Sequence, residues 1–197
     1  MALVGGGANP KWPKTKVIMW DDLEASKFEE LNHNQEVMGV RMRPECVIVM
    51  IVNRIYLYGI PEFAIIGQID TNQSMGPVIG LSTDEANFVL ALPSTEQGHV
   101  ILKTSLEQSV EEISIKVHDR GALQAIVVTS DGLLMACCSV NGKRVKIFEL
   151  TTRTLLRVLR RGFRATLIQS VIFSQNKKSL CVLTDQTIHY FSLLTSE

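Results

Sequence analysis

Two adjacent arginines, Arg160 and Arg161, close the apolar run at residues 155–159 and are followed at once by Gly162. A guanidinium presents a planar fork of donors that matches phosphate oxygens, and it keeps its charge at any cellular pH. In an extended chain, neighbouring side chains project to opposite faces. The two arginines therefore cannot easily share one anion; they are set to hold two, one on each side of the strand. That chemistry is recognition of an anionic surface anchored at two points. The surrounding residues reinforce it. Between positions 143 and 164 stand eight bases (Lys143, Arg144, Lys146, Arg153, Arg157, Arg160, Arg161 and Arg164) and one acid, Glu149, a net of +7. The rest of the chain carries twelve bases and nineteen acids, a net of −7, so the total is zero. Such asymmetry marks a local anion-binding face on an acidic body, while a zero total argues against nucleic acid as the partner.

Other chemistries lack their residues. The sequence holds no Gly-x-Ser-x-Gly elbow, no phosphate-cradling glycine loop followed by Lys-Ser/Thr, and no nucleophile matched to a base, so no catalytic residue is assigned. The glycines at 5–7 precede Pro10 and Pro13, which suits a turn and not a helix. The four cysteines, Cys46, Cys137, Cys138 and Cys181, lack Cys-x-x-Cys spacing and sit in apolar stretches. They read as small buried hydrophobes in a reducing compartment; neither a metal nor a cofactor is expected. No apolar run reaches the roughly eighteen residues of a membrane-spanning helix, and the N-terminus lacks the basic region and apolar core of a signal peptide. A soluble, intracellular protein is expected.

The elements that must position the arginines are short β-type runs separated by turn residues. One set of four lies at residues 37–42, 46–52, 55–60 and 63–69, and the next at 76–82, 87–92, 99–103 and 112–117. A third lies at 123–129, 133–140, 145–150 and 155–161. A further set begins at 168–174, 180–184 and 187–194, and the first full set is preceded by runs at 2–5 and 16–22. Residues 22–31 allow either a further strand at 28–31 or a turn or two of helix. The third runs begin at Val17, Ile55, Val100, Val145 and Ile188, spaced by 38, 45, 45 and 43 residues. A four-strand unit repeating every 40–45 residues is the pattern of β-propeller blades. With 46% hydrophobic residues the chain can bury a core, and runs such as Cys46-Val47-Ile48-Val49-Met50 suit strands covered on both faces. The expected fold is all-β, a partial WD40-like β-propeller with blades near 1–34, 35–70, 75–118, 122–161 and 167–197: three complete and two partial. Propellers close with four to eight whole blades, so this sequence is expected to be part of a larger propeller, or a shortened one that needs a partner to close.

Ala2-Leu3-Val4-Gly5-Gly6-Gly7, Asn9-Pro10-Lys11 and Lys16-Val17-Ile18-Met19-Trp20-Asp21-Asp22 together resemble the second-blade signature of the PROPPINs. These are the WIPI-type seven-bladed propellers that bind phosphoinositides in autophagy. Gly98-His99-Val100 and Val117-His118-Asp119 are similar to the signatures of later blades, and Leu159-Arg160-Arg161-Gly162 to the family's Phe/Leu-Arg-Arg-Gly motif. The overall pattern is nearest the branch containing the mammalian third and fourth WIPI proteins.

The resemblance implies two headgroup pockets. The first would use Arg160 with His118 and Ser139, and with Lys143 where the family has a threonine. The second would use Arg161 with Thr184, Thr187 and His189, although the family's Ser-Asp-x-Gly-Thr turn is shortened here to Thr184-Asp185-Gln186-Thr187. His118 could instead serve hydrogen bonding inside a blade. Asp21 and Asp22 resemble an acidic partner-binding loop, with a plain turn as the alternative. The implied protein is a non-enzymatic reader of phosphatidylinositol 3-phosphate, or of the 3,5-bisphosphate. It would lie peripherally on preautophagosomal, endosomal or vacuolar membranes and recruit an autophagy lipid-transfer protein to a groove of the early blades. The rival reading is a protein-scaffolding propeller that has lost lipid binding.

Overall fold

The computed structural model describes residues 1–71, 78–106, 112–119 and 121–194. Among them every regular element is a β-strand. The chain divides into two compact units, Met1–Pro77 and Val78–Glu197.

The first unit holds two antiparallel sheets. β1 (Ala2–Val4), β2 (Lys16–Asp21) and β3 (Ser26–Asn32) form one; β4 (Gly39–Arg43), β5 (Cys46–Met50), β6 (Arg54–Gly59) and β7 (Ile65–Asp70) form the other. Val17, Met19 and Leu31 of the first sheet pack against Val47, Val49 and Tyr58 of the second. The ambiguity at residues 22–31 resolves as strand: a turn at 22–25 leads into β3, which pairs with β2 from Asp21↔Ser26 to Lys16↔Asn32. Ladder pairing and the burial of Leu31 decide against a helical turn.

The second unit holds three sheets in sequence order. The first is β8 (Gly80–Leu81), β9 (Leu90–Pro93), β10 (His99–Lys103) and β11 (Ile113–Lys116). The next is β12 (Leu123–Val128), β13 (Leu134–Ser139), β14 (Arg144–Glu149) and β15 (Thr154–Arg160). The last is β16 (Ile168–Phe173), β17 (Ser179–Thr184) and β18 (Ile188–Ser192). The run expected at 76–82 is a strand only at Gly80–Leu81, and its first two residues lie outside the described ones.

β13 explains the apolar runs. Its alternate residues enter two different cores: Met135 and Cys137 pack with β8–β11, while Ala136 and Cys138 pack with β16–β18. A strand covered on both faces has no polar side to show. Burial pushes the thiols of Cys46 and Cys138 up, to about 11 and about 12, so they stay protonated and serve as packing. The outermost β15 is the reverse case, half-exposed along its length, with Leu155, Leu156 and Val158 facing solvent. Five successive meanders, three of four strands and two of three, reproduce the blade construction implied by the repeat.

Candidate functional site: the inter-blade basic face

Register decides where each arginine points. β14 and β15 pair with a one-residue bulge between Ile147 and Phe148. Beyond it Arg144 lies opposite Arg160, and Val145 opposite Leu159. Cross-strand partners share a face. Val145, Ile147 and Leu159 belong to the core shared with β16–β18, whereas Phe148 and Leu150 belong to the core shared with β8–β11. Arg144, Lys146 and Arg160 therefore project on the β8–β11 side, and Arg161 on the β16–β18 side.

On the Arg160 side the cations are exposed and crowded. Arg144 and Arg160, directly opposed, are like charges at a spacing of about 5 Å between Cβ atoms, an arrangement that is unfavourable without a counter-ion. The Arg160 guanidinium carbon sits 3.7 Å from the centroid of the Phe163 ring. Beneath these cations lie the two polar residues expected with them. Ser139 ends β13 and is buried, its hydroxyl donating to Asn141 Oδ1 at 3.0 Å; the same oxygen accepts from the Lys143 amide at 3.4 Å. His118 is buried, its Nε2 3.9 Å from Cys137 Sγ. Gly98 fixes it there: the His118 amide donates to Gly98 O at 2.9 Å, and a Cβ at Gly98, which has φ +77, would come within 2.1 Å of the His118 carbonyl. Burial, and secondarily the charge on Lys146, hold the His118 imidazole below its usual range, so it is neutral near pH 7.

On the Arg161 side the donors are engaged. Arg161 Nε donates to Gly142 O at 2.9 Å, Nη2 donates to Arg164 O, and the backbone amide donates to Lys143 O at 2.9 Å. The side chain thus ties the β13–β14 turn to the connection at residues 161–167. Gly142 is required for that closure, because at φ +59 a Cβ would lie 2.1 Å from the Thr166 carbonyl. Ile168, next in the connection, pairs with Thr184, which brings the β17–β18 turn to the same end of the sheets. There the Thr184 hydroxyl donates to Thr187 O at 3.0 Å, accepts from the Thr187 amide at 3.0 Å, and meets the Thr187 hydroxyl at 3.0 Å. Thr187 Oγ1 in turn lies 2.9 Å from His189 Nε2.

Asp21 and Asp22 belong to the other unit. Asp21 Oδ1 accepts the amides of Leu23 at 2.8 Å and Glu24 at 3.3 Å, which forms the β2–β3 turn, and Asp22 is exposed. Among the described residues no three His, Cys, Asp or Glu side chains cluster as metal ligands.

Sequence reading counted Arg144 and Arg164 only in the general basic face and passed over Asn141. Alternation along β14 could have flagged Arg144, but its partner depends on the bulge. The role of Arg164 is carried by its carbonyl, which no residue type announces.

Antiparallel sheets of three and four strands packed on shared cores within each unit, with basic side chains on both faces of β12–β15, define a β-propeller, partial here. Residues 22–196 match the PROPPIN family model, and the chain belongs to that family. It is 32% identical over 194 residues to autophagy-related protein 18e of Arabidopsis thaliana, a match covering 98% of this chain and 51% of the relative. SVP1-like protein 2 of Pichia angusta is 27% identical, covering 100% and 56%. Among solved structures, KlAtg21 in complex with the coiled-coil of AgAtg16 superposes with a TM-score of 0.80 at 23% identity, over 98% of this chain and 63% of that one. Kluyveromyces lactis Hsv2 superposes at 0.78 and 19% identity, over 93% and 57%. The chain spans about half the length of the curated relatives it matches.

Proposed function

We propose that this chain contributes the headgroup-reading face of a non-enzymatic phosphoinositide effector of autophagy, selective for phosphatidylinositol 3-phosphate or the 3,5-bisphosphate. One observation carries the reading: Arg160 and Arg161 leave the end of β15 on opposite faces, each toward a different neighbouring sheet. The opposed Arg144–Arg160 pair supports it, since an anion bound between them would relieve their repulsion. Exposed Lys143 and Arg164 add attraction to an anionic leaflet, at about 1 kcal/mol for each cation near the surface. That attraction is general, so choice of lipid falls to the shaped surroundings of Arg160, with Lys143 and Ser139 near it, and of Arg161, with Thr184, Thr187 and His189. The protein would act peripherally on preautophagosomal or endosomal membranes.

A second reading, a protein scaffold without lipid binding, draws on the Arg161 side. Two of that guanidinium's nitrogens already donate to carbonyls, and the Thr184 and Thr187 hydroxyls bond each other. The coiled-coil partner carried by KlAtg21 makes a helical protein ligand a reasonable expectation here too. A lipid-transfer protein held against the early blades, with the exposed Asp22 in reach, is the corresponding expectation for the first unit.

Liposome flotation separates the two readings. Wild-type protein should float with vesicles containing phosphatidylinositol 3-phosphate, and the Arg160→Thr, Arg161→Thr double variant should not. Equal flotation of both proteins, or of neither, would sink the lipid reading.

A further inference from the structure

The connection between β15 and β16 carries two side chains that neither pocket accounts for. Phe163 is 77% exposed and Leu167 is 61% exposed. A large aromatic left in water two residues beyond an arginine pair would ordinarily be a liability, yet its surroundings here are cationic: Lys143, Arg144, Arg160 and Arg164 are all exposed close by in sequence or across the ladder. Exposed apolar side chains ringed by positive charge are complementary to an anionic bilayer, whose headgroups attract the cations while its acyl boundary receives the apolar groups.

The contact between Arg160 and Phe163 sharpens this. With the guanidinium carbon 3.7 Å from the ring centroid, one face of the ring carries the cation. Guanidinium is weakly hydrated and stacks on aromatic faces, so the pair can enter a headgroup layer as a unit. On the other side, Arg161 holds the connection at Arg164 O, and Gly142 holds it through the close approach of Thr166. The anchor is therefore pre-positioned by the residue next to the one it stacks on.

We propose that Phe163 and Leu167 form an interfacial membrane anchor that inserts beside the Arg160 headgroup site. The proposal builds on the membrane reading above and is separable from it by experiment. Three probes are used: vesicles of phosphatidylcholine with phosphatidylinositol 3-phosphate, vesicles with phosphatidylserine at matched charge, and soluble inositol 1,3-bisphosphate. A Phe163→Ser, Leu167→Ser variant should bind the soluble headgroup as wild type does, while its affinity for the phosphoinositide vesicles falls roughly tenfold. Phe163→Trp should keep vesicle binding, because indole suits the interface. Both positions are exposed, so unchanged unfolding curves should accompany these results.

Equal flotation of the double serine variant and wild type would overturn the anchor and leave the patch to a protein partner. Parallel loss of headgroup and vesicle binding would also overturn it, making Phe163 a wall of the pocket. If wild type ignores the soluble headgroup but floats on phosphatidylserine vesicles, and the variant does not, the headgroup reading fails and the anchor stands. Flotation of wild type on neither vesicle would overturn both.

Discussion

Arg160 and Arg161 are identical residues one position apart, and the structure treats them differently. Arg160 stands exposed on the β8–β11 side, opposed by Arg144 and touching an exposed ring. Arg161 is half-buried on the β16–β18 side, and its fork is spread between the carbonyls of Gly142 and Arg164. One is a free cation with a neighbour of like charge. The other is a brace that joins a hairpin turn to the connection leading into the next sheet. A motif read as two equivalent anion anchors therefore contains one group placed to capture a ligand and one whose first duty is to hold the frame.

The largest test of that contrast removes the seat of the brace without touching either arginine. Gly142→Ala introduces a methyl group 2.1 Å from the Thr166 carbonyl at a left-handed backbone position. The carbonyl is backbone and not a flexible side-chain tip, so the turn or the connection must move, and a loss of about 3 kcal/mol is expected from overlap and strain together. Urea unfolding monitored by far-UV circular dichroism would measure it, since Trp12 and Trp20 both lie in the other unit. A loss under about 1 kcal/mol would mean that the β13–β14 turn and the 161–167 connection are not locked together, and that Arg161 braces nothing.

Next in size is the pair of single variants. Arg161→Thr removes two charge-assisted hydrogen bonds to carbonyls, one on buried Gly142 and one on exposed Arg164, for an expected loss of about 2 kcal/mol. Arg160→Thr removes an exposed guanidinium–ring contact and also relieves the repulsion with Arg144, two small terms of opposite sign that leave stability within about 0.5 kcal/mol of wild type. The same unfolding assay decides the matter: equal stabilities would erase the distinction. If it holds, Arg160→Thr is the clean probe of headgroup binding, because its flotation is not confounded by a loosened frame.

Much of this organisation was legible in the sequence, and the illegible part has a single physical source. Strand spacing and the two-faced apolar runs through Cys46 and Cys137 follow from local preference and period-two patterning. Opposite projection of residues 160 and 161 follows as well. What alternation alone cannot supply is the pairing of Arg160 with Arg144. That depends on the extra residue near Leu156, which shifts the β14–β15 register by one after Phe148. Without the bulge Arg160 would oppose Lys143. The same device recurs in β2–β3 and in β6–β7, between Met19 and Trp20 and between Leu57 and Tyr58. Register also shifts in β12–β13 and β16–β17, whereas β10–β11 stays in step, so each hairpin with a shift is where sequence reading loses one residue of certainty. Contacts made by carbonyls, such as Arg161 to Arg164 O, are invisible for a different reason: every residue offers the same acceptor.

The smallest expected effect concerns the histidine beneath the free cation. A pocket histidine that donates to phosphate as imidazolium would be stabilised by its ligand and would strengthen binding as pH falls. His118 is instead held neutral, by burial first and then by the Lys146 charge, with its pKa below the ordinary 6.5. For a base whose folded pKa is depressed, the unfolded chain takes up the proton first. His118 therefore contributes fully to stability above pH 6.5, and that contribution is lost as pH falls through the unfolded value toward the folded one. Urea midpoints between pH 8 and pH 5 should show a shallow acid-side decline in wild type that is reduced in His118→Leu, since the carboxylates titrate alike in both. Superimposable profiles, or headgroup affinity that rises on acidification only when His118 is present, would move this imidazole from the foundation of the Arg160 site into the site itself. The two arginines would then differ less than their surroundings suggest.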